Sequence, residues 1–240
     1  MLTRTFLARM LYGSDSSIQV GSSNIQPSTV VRDLGLHLDS ELSMKHHVTK
    51  VAAACYYHLR CLGQIRQHVS QEVVTQLVLA MVISRLDYCN AALAGLPQAT
   101  VTPLQRVQNL AARLIFEVST REHVTPCLLQ LHWLPVRWRV QFKLCYIMHS
   151  VFHGTRPSYL SNIVERVGAG RTCSRLRSTS TTDFSLPRLC TKFGERSFSH
   201  AGPSAWNNLP EDLRTIADPA KFRQQLKTYF FTRALMFSDF

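Results

Sequence analysis

Apolar positions recur with two different periods along the chain. Over residues 16–40 the period is two. Ile18 and Val20 alternate, Gly21-Ser22 can turn, and Asn24 to Gln26 can return. Leu34, Leu36 and Leu38 then alternate with Asp33, Gly35 and His37. This reads as three short strands, a marginal sheet unless something covers it. From Ser40 the period lengthens. Val48, Val51, Ala52, Cys55, Leu59, Leu62 and Ile65 fall three and four apart on one face of a helix, with Gly63 near its end. Ser70 can cap a second helix, with Glu72 in its first turn and Val74, Leu77, Val78, Met81 and Leu86 after it. That helix is apolar around most of its circumference, so it is predicted to be central, and Gly95-Leu96-Pro97 ends it.

Thr102-Pro103 opens a third helix with Leu104, Val107, Leu110, Ala111, Leu114 and Ile115 on its buried stripe. Thr125-Pro126 begins a short helix through Leu131. Pro135 begins a longer one, through about His153, with the stripe Val136, Val140, Leu144, Ile147, Met148 and Val151. Gly154 stops it, and Pro157 starts a short helix containing Tyr159, Leu160 and Ile163. Gly168 to Thr182 is rich in Gly, Ser, Thr and Arg and reads as a loop. Lys192 to Phe198 can be extended. Gly202-Pro203, Trp206 and Leu209-Pro210 form a turn-rich apolar patch, and Asp218-Pro219 caps a last helix, where Phe222, Leu226, Tyr229, Phe230 and Arg233 follow at helical spacing. The fold class is therefore mainly α. A strand remnant occupies 1–40, a helical domain 41–165, a basic linker 166–190 and a small α+β module 191–240.

Composition adds compartment and partner. At 45% hydrophobic the 240 residues can bury a core and are not a disordered chain. Seven Cys without regular spacing, and no secretory signal ahead of them, argue against a disulfide-stapled secreted fold. An intracellular protein, nuclear or cytoplasmic, fits better. Met1 to Leu11 carry Arg4, Arg9 and no acid, too little pattern to displace a plain N-terminus in favour of a mitochondrial leader. The longest apolar run, Leu77 to Ile83, is too short to span a bilayer.

The net charge of +12 points to an anionic partner, most often nucleic acid. It concentrates between Arg106 and Arg188, with seven bases against two acids over 95–160 and five against two over 161–190. Arg106 and Arg113, seven apart, share one helix face. Arg137 and Arg139 flank Trp138, a conceivable stacking platform, although such a Trp is more often core, and Trp133 more so. Arg171, Arg175 and Arg177 in the loop can touch nucleic acid as an arm or act as a plain linker, the reading slightly favoured. They can also lose their net charge to phosphorylation of neighbouring Ser and Thr.

Metal and nucleophile chemistry find little support. Cys145, His149 and His153 lie at i, i+4 and i+8, and two helical turns separate the ends too far for one tetrahedral ion. Cys55, His58 and Cys61 spread around a helix. No Gly-x-Ser-x-Gly, Walker A loop or Gly-x-Gly-x-x-Gly occurs. No cofactor is expected.

Longer strings carry a resemblance. Val30-Val31-Arg32-Asp33-Leu34-Gly35-Leu36-His37-Leu38-Asp39 resembles the segment that closes the palm of LINE-type (non-LTR) retrotransposon reverse transcriptases. Ile83-Ser84-Arg85-Leu86-Asp87-Tyr88-Cys89-Asn90 is similar to that family's thumb. So are Pro103-Leu104-Gln105-Arg106-Val107-Gln108-Asn109 with Ala111-Ala112-Arg113-Leu114-Ile115, and His132-Trp133-Leu134-Pro135-Val136 with Arg137 and Arg139. Lys192-Phe193-Gly194-Glu195-Arg196-Ser197-Phe198 and Ala201-Gly202-Pro203-Ser204-Ala205-Trp206-Asn207-Asn208-Leu209-Pro210 look like the region after the thumb. The likeness runs in order over about 16–235 and is closest to the chicken-repeat-like branch.

The resemblance implies an RNA-directed DNA polymerase whose palm carboxylates hold two divalent metals about 3.5–4 Å apart. The family's Ala-Asp-Asp hairpin is missing here. The adjacent acids Glu211-Asp212 and the close pair Asp39 and Glu41 lack the apolar strand that should precede it. Cys190 is the last Cys, so the zinc knuckle that ends some family members is also missing. The fingers, most of the palm and the endonuclease would lie upstream of Met1. The expectation is thus a non-catalytic fragment that grips an RNA or DNA duplex. The thumb implies phosphate contacts from Lys45, Lys50, Arg60, Arg66, Arg106, Arg113, Arg137, Arg139 and Lys143. The rival reading is a transposon-derived interaction protein or relic, self-associating through a strand edge that has lost its palm.

Overall fold

A computed structural model describes residues 17–26, 28–167 and 182–236. Met1 to Leu11 and the arginines 171, 175 and 177 lie outside the described residues. The chain is mainly helical, and its described part divides into two compact units between His47 and Val48.

The first unit holds two separate antiparallel hairpins. Strand β1 (Ile18–Val20) pairs with β2 (Ser23–Ile25), and β3 (Val30–Asp33) pairs with β4 (Leu36–Asp39). The alternation from Leu34 to Leu38 is therefore not one strand. Leu34-Gly35 is a turn with both φ positive, +44° and +85°, and pairs Asp33 with Leu36. Two positive φ values match the right-handed twist of the flanking strands. Glycine adopts this freely, whereas Leu34 does so under strain and stands 81% exposed. Asp39 closes the unit by accepting from the Ser43 amide at 2.7 Å and the Ser43 hydroxyl at 2.9 Å. Burial alone would raise its carboxyl, but these hydrogen bonds hold it below the usual carboxylate range.

The second unit is a helical assembly. Its helices are α1 (Lys45–Ile65, from Val48 onward), α2 (Gln71–Val78), α3 (Ser84–Asp87), α4 (Gln98–Phe116), α5 (Thr125–Gln130), α6 (Val136–Phe152), α7 (Ser158–Ser161), α8 (Phe198–Asn207), α9 (Glu211–Arg214) and α10 (Pro219–Met236). On the stripe predicted for α1, Val48, Ala52, Cys55, Leu59 and Leu62 are buried and Val51 is half-buried, whereas Ile65 at the helix end is exposed. Ser70 caps α2, its hydroxyl accepting from the Val73 amide.

Three expectations change. The helix expected to run unbroken from Ser70 to Gly95 ends at Asp87, followed by a 3-10 turn at Asn90–Leu93, and is split by a π turn, Leu79–Ile83, where the Ser84 amide reaches the Leu79 carbonyl five residues back. It is also not the central helix, because Leu79 and Met81 are exposed. That role belongs to α6, which packs against α4, α8 and α10. Helix α4 starts at Gln98, before Pro103, which is carried within its second turn.

The third change concerns 192–210. Gly194–Arg196 is a 3-10 turn, and Gly202-Pro203 lies inside helix α8. Gly202 is what lets α8 approach α6, because a Cβ there would sit 2.8 Å from Met148 Sδ and 3.1 Å from a Phe198 ring carbon. The patch around Trp206 is thus helix packing, with Ala201, Ala205 and Trp206 buried. Asp218 caps α10, accepting from the amides of Ala220 and Lys221 at 3.0 and 3.3 Å.

His149 sits in this core, stacked on Phe222 with ring centroids 4.0 Å apart. Its Nε2 lies 2.8 Å from the Ile216 carbonyl. Burial lowers its pKa, with His153 adding to the effect, against the opposing pull of the Ile216 hydrogen bond and Asp218. The unfolded ring therefore binds a proton more readily than the folded one. Stability is fully present above the ordinary histidine value, about 6.5, and falls as pH drops below it. Urea midpoints measured between pH 7 and 5 should decline, and the decline should flatten in His149→Gln.

Candidate nucleic-acid interface

The strings that carry the resemblance meet at joints of the fold. Gln105 Oε1 accepts from the Val136 amide at 2.8 Å, satisfying a donor that the first turn of α6 leaves open. Gln108, fully buried, donates Nε2 to the Leu134 carbonyl at 2.8 Å. Arg139 Nε donates to the same carbonyl at 3.0 Å. The Arg139 Nη1 also reaches both carboxylate oxygens of Asp87, at 2.7 and 2.6 Å. The segment after the π turn thereby locks onto α6.

Beside this joint lies a groove of about 490 Å³ between the π turn, α6 and α10. Its lining brings together Arg139 and Lys143 from α6 with Arg223 and Lys227 from α10, and Asp87 is the acid among the described lining residues. Burial lowers the Lys227 ammonium below the usual lysine range, and the neighbouring Arg139 and Arg223 charges lower it further. Lys227 Nζ also lies 5.9 Å from the centre of the Phe231 ring. Asn90, buried in the wall, has an amide oxygen with no hydrogen-bond partner among the described residues.

The nine predicted phosphate contacts do not form one surface. Arg139 and Lys143 share the groove just described, although Arg139 is largely spent on Asp87. Arg60, Arg66 and Arg113 line a different groove of about 400 Å³ between α1 and α4. Arg66 donates to the carbonyls of Leu114, Ile115 and Val69 and pairs with Glu117 at 3.6 Å. Arg113 donates to the Glu122 carbonyl. Arg137 lines a third cavity, whose lining also includes Arg233. Arg106 is exposed on α4, and Lys45 and Lys50 are exposed on α1.

Trp138 is not a stacking platform. It is 8% exposed and packs against Phe230 with centroids 5.5 Å apart. The Cys145, His149 and His153 series is likewise used for packing, Cys145 donating to the Ala205 carbonyl. Among the described residues no three His, Cys, Asp or Glu side chains converge as a metal site. Also among them, no helix is long and apolar enough to cross a membrane.

Arg223 and Lys227 were missed by reading α10 through its apolar stripe alone. Their spacing of four, which puts both on one helix face, was the available signal. Comparison with protein-family models, curated proteins and solved structures yields no match.

Proposed function

We propose that this chain is a non-catalytic nucleic-acid-binding fragment of a LINE-type reverse transcriptase, holding duplex phosphates in the groove between α6 and α10. The supporting observation is the convergence of Arg139, Lys143, Arg223 and Lys227 on one open groove against the single acid Asp87 among its described lining residues. Like charges held together repel one another, and a phosphate placed between them relieves that repulsion. Such contacts need charge and reach but read no sequence. The missing Ala-Asp-Asp hairpin supports the non-catalytic part of the reading.

The test is binding of an RNA–DNA duplex over a salt series. Affinity should fall as salt rises, because each neutralised phosphate releases counterions. In the double variant R223Q/K227Q the slope should flatten by about 2 in log–log units, and binding should weaken at least roughly tenfold at low salt. Binding that ignores salt, or a variant with the wild-type slope, overturns the reading. Primer extension by the purified chain with Mg²⁺ overturns the non-catalytic half.

The rival reading of an interaction protein draws on one observation. Arg66, Arg113 and Arg139 spend donors on carbonyls or carboxylates of the fold, and the nine candidates are spread over separate surfaces.

A further inference from the structure

Three imidazoles gather in the first compact unit, where β4 leads into the first turn of α1. His37 comes from β4, and His46 and His47 come from the helix. The centre of the His37 ring lies 5.4 Å from that of His46 and 6.2 Å from that of His47. His46 is exposed, whereas His47 is buried.

One hydrogen bond in this cluster depends on a protonation state. The His37 backbone amide donates to His47 Nδ1 at 3.4 Å. An imidazole nitrogen accepts only while it carries no proton, so this contact holds His47 neutral, with its proton on Nε2. A proton on Nδ1 sets two donors face to face and removes the link.

The surroundings add to the cost of that proton. Lys45 and His46 share the first turn of α1 with His47, and the turn holds no acid. A helix N-terminus disfavours cations. Arg32 on β3 is the cross-strand partner of His37. The nearby acids in the chain are Asp39, whose carboxylate accepts from Ser43, and the exposed Glu41. Burial lowers the pKa of His47 below the ordinary histidine value, and the charge of His37 lowers it further. The opened form therefore binds a proton more readily than the closed one. The closed form has its full stability above about pH 6.5 and loses it as pH falls below that value.

We propose that His37 and His47 form a proton-sensitive latch, in which neutral His47 holds the β3–β4 hairpin to the first turn of α1 and protonated His47 releases it. A lone two-stranded hairpin has little stability of its own, so releasing this link is enough to open it locally. The latch does not depend on the groove between α6 and α10 and is tested separately from it.

The experiment is amide hydrogen exchange of the full chain at pH 7.5 and pH 5.0, each rate divided by the intrinsic rate at that pH. Protection over residues 30–47 should fall at pH 5.0 by at least roughly tenfold more than protection of α6. His47→Asn keeps a side-chain acceptor that takes up no proton, and its hairpin should stay protected at pH 5.0. His37→Asn keeps the amide donor and removes one of the like charges, so its loss should be severalfold smaller than in wild type. Nitrogen-15 shifts of the His47 ring should show an unprotonated Nδ1 at pH 7.5, and this decides the matter should His47→Asn fail to fold. The proposal is overturned by a hairpin whose protection relative to α6 is the same at both pH values. It is equally overturned by a folded His47→Asn that opens at pH 5.0 as wild type does, or by a proton on His47 Nδ1 at pH 7.5.

Discussion

Trp206→Ala should cost about 3–5 kcal/mol of unfolding free energy, the range for deleting a large buried aromatic side chain. Trp206 is fully buried where α8 meets α6 and α10. Its ring stacks with Phe152 at 5.5 Å and meets Phe184 at 6.2 Å and Phe222 at 6.0 Å. Its indole Nε1 donates to the Thr182 carbonyl at 2.8 Å, which ties the segment at Asp183 and Phe184 to the helices. Asn207 fastens the same segment, exchanging two hydrogen bonds with the Phe184 backbone. Removing the ring therefore opens a cavity and frees a backbone carbonyl at once. Urea unfolding of the variant checks the size. Trp206→Phe, which keeps much of the packing and loses the indole donor, should cost distinctly less. Equal costs would show that the hydrogen bond, not the ring, carries the joint.

Arg66→Met is the second large effect, with about 2–4 kcal/mol expected from losing several charge-assisted hydrogen bonds to partly buried carbonyls. The last turn of α4 leaves carbonyl oxygens without amide partners. Arg66 satisfies two of them, reaching Leu114 at 3.0 Å and Ile115 at 2.9 Å, and also reaches Val69 at 3.3 Å. Methionine keeps the aliphatic stem but none of the donors. The variant separates two roles for one cation. A structural Arg66 predicts a lower urea midpoint with an unchanged salt slope of duplex binding. A phosphate-contacting Arg66 predicts a flatter slope at little cost in stability.

These two sites show how much was legible beforehand. The i, i+3, i+4 stripes located α1 and most of α6, and Ser70 and Asp218 marked helix starts that the structure keeps. Periodicity failed where a helix is buried on more than one side. Trp138, Cys145 and His149 lie off the stripe predicted for α6, yet all three are buried, because α4, α8 and α10 surround that helix. Conversely, the strongly apolar stretch 73–86 looked central and is partly exposed. Its π turn changes which residues face inward, and no residue type announces such a turn. Gly202-Pro203 read as a turn because those residues break isolated helices, but the close approach to Met148 makes the glycine necessary within one.

What the sequence determined by itself is local and additive: the mainly α class, the helix faces, several caps and an excess of positive charge centred after residue 95. Each depends on residues a few positions apart, so spacing suffices to read it. Which cations face a common groove was decided only by the tertiary structure. Arg139 meets Asp87 across 52 positions, and the groove completes its charge with Arg223 and Lys227 from a helix some eighty residues further on. A charge in sequence is only a count. Its use depends on what the packed backbone brings within a few ångströms, where Coulomb energy is large enough to select a carboxylate, a carbonyl or a phosphate.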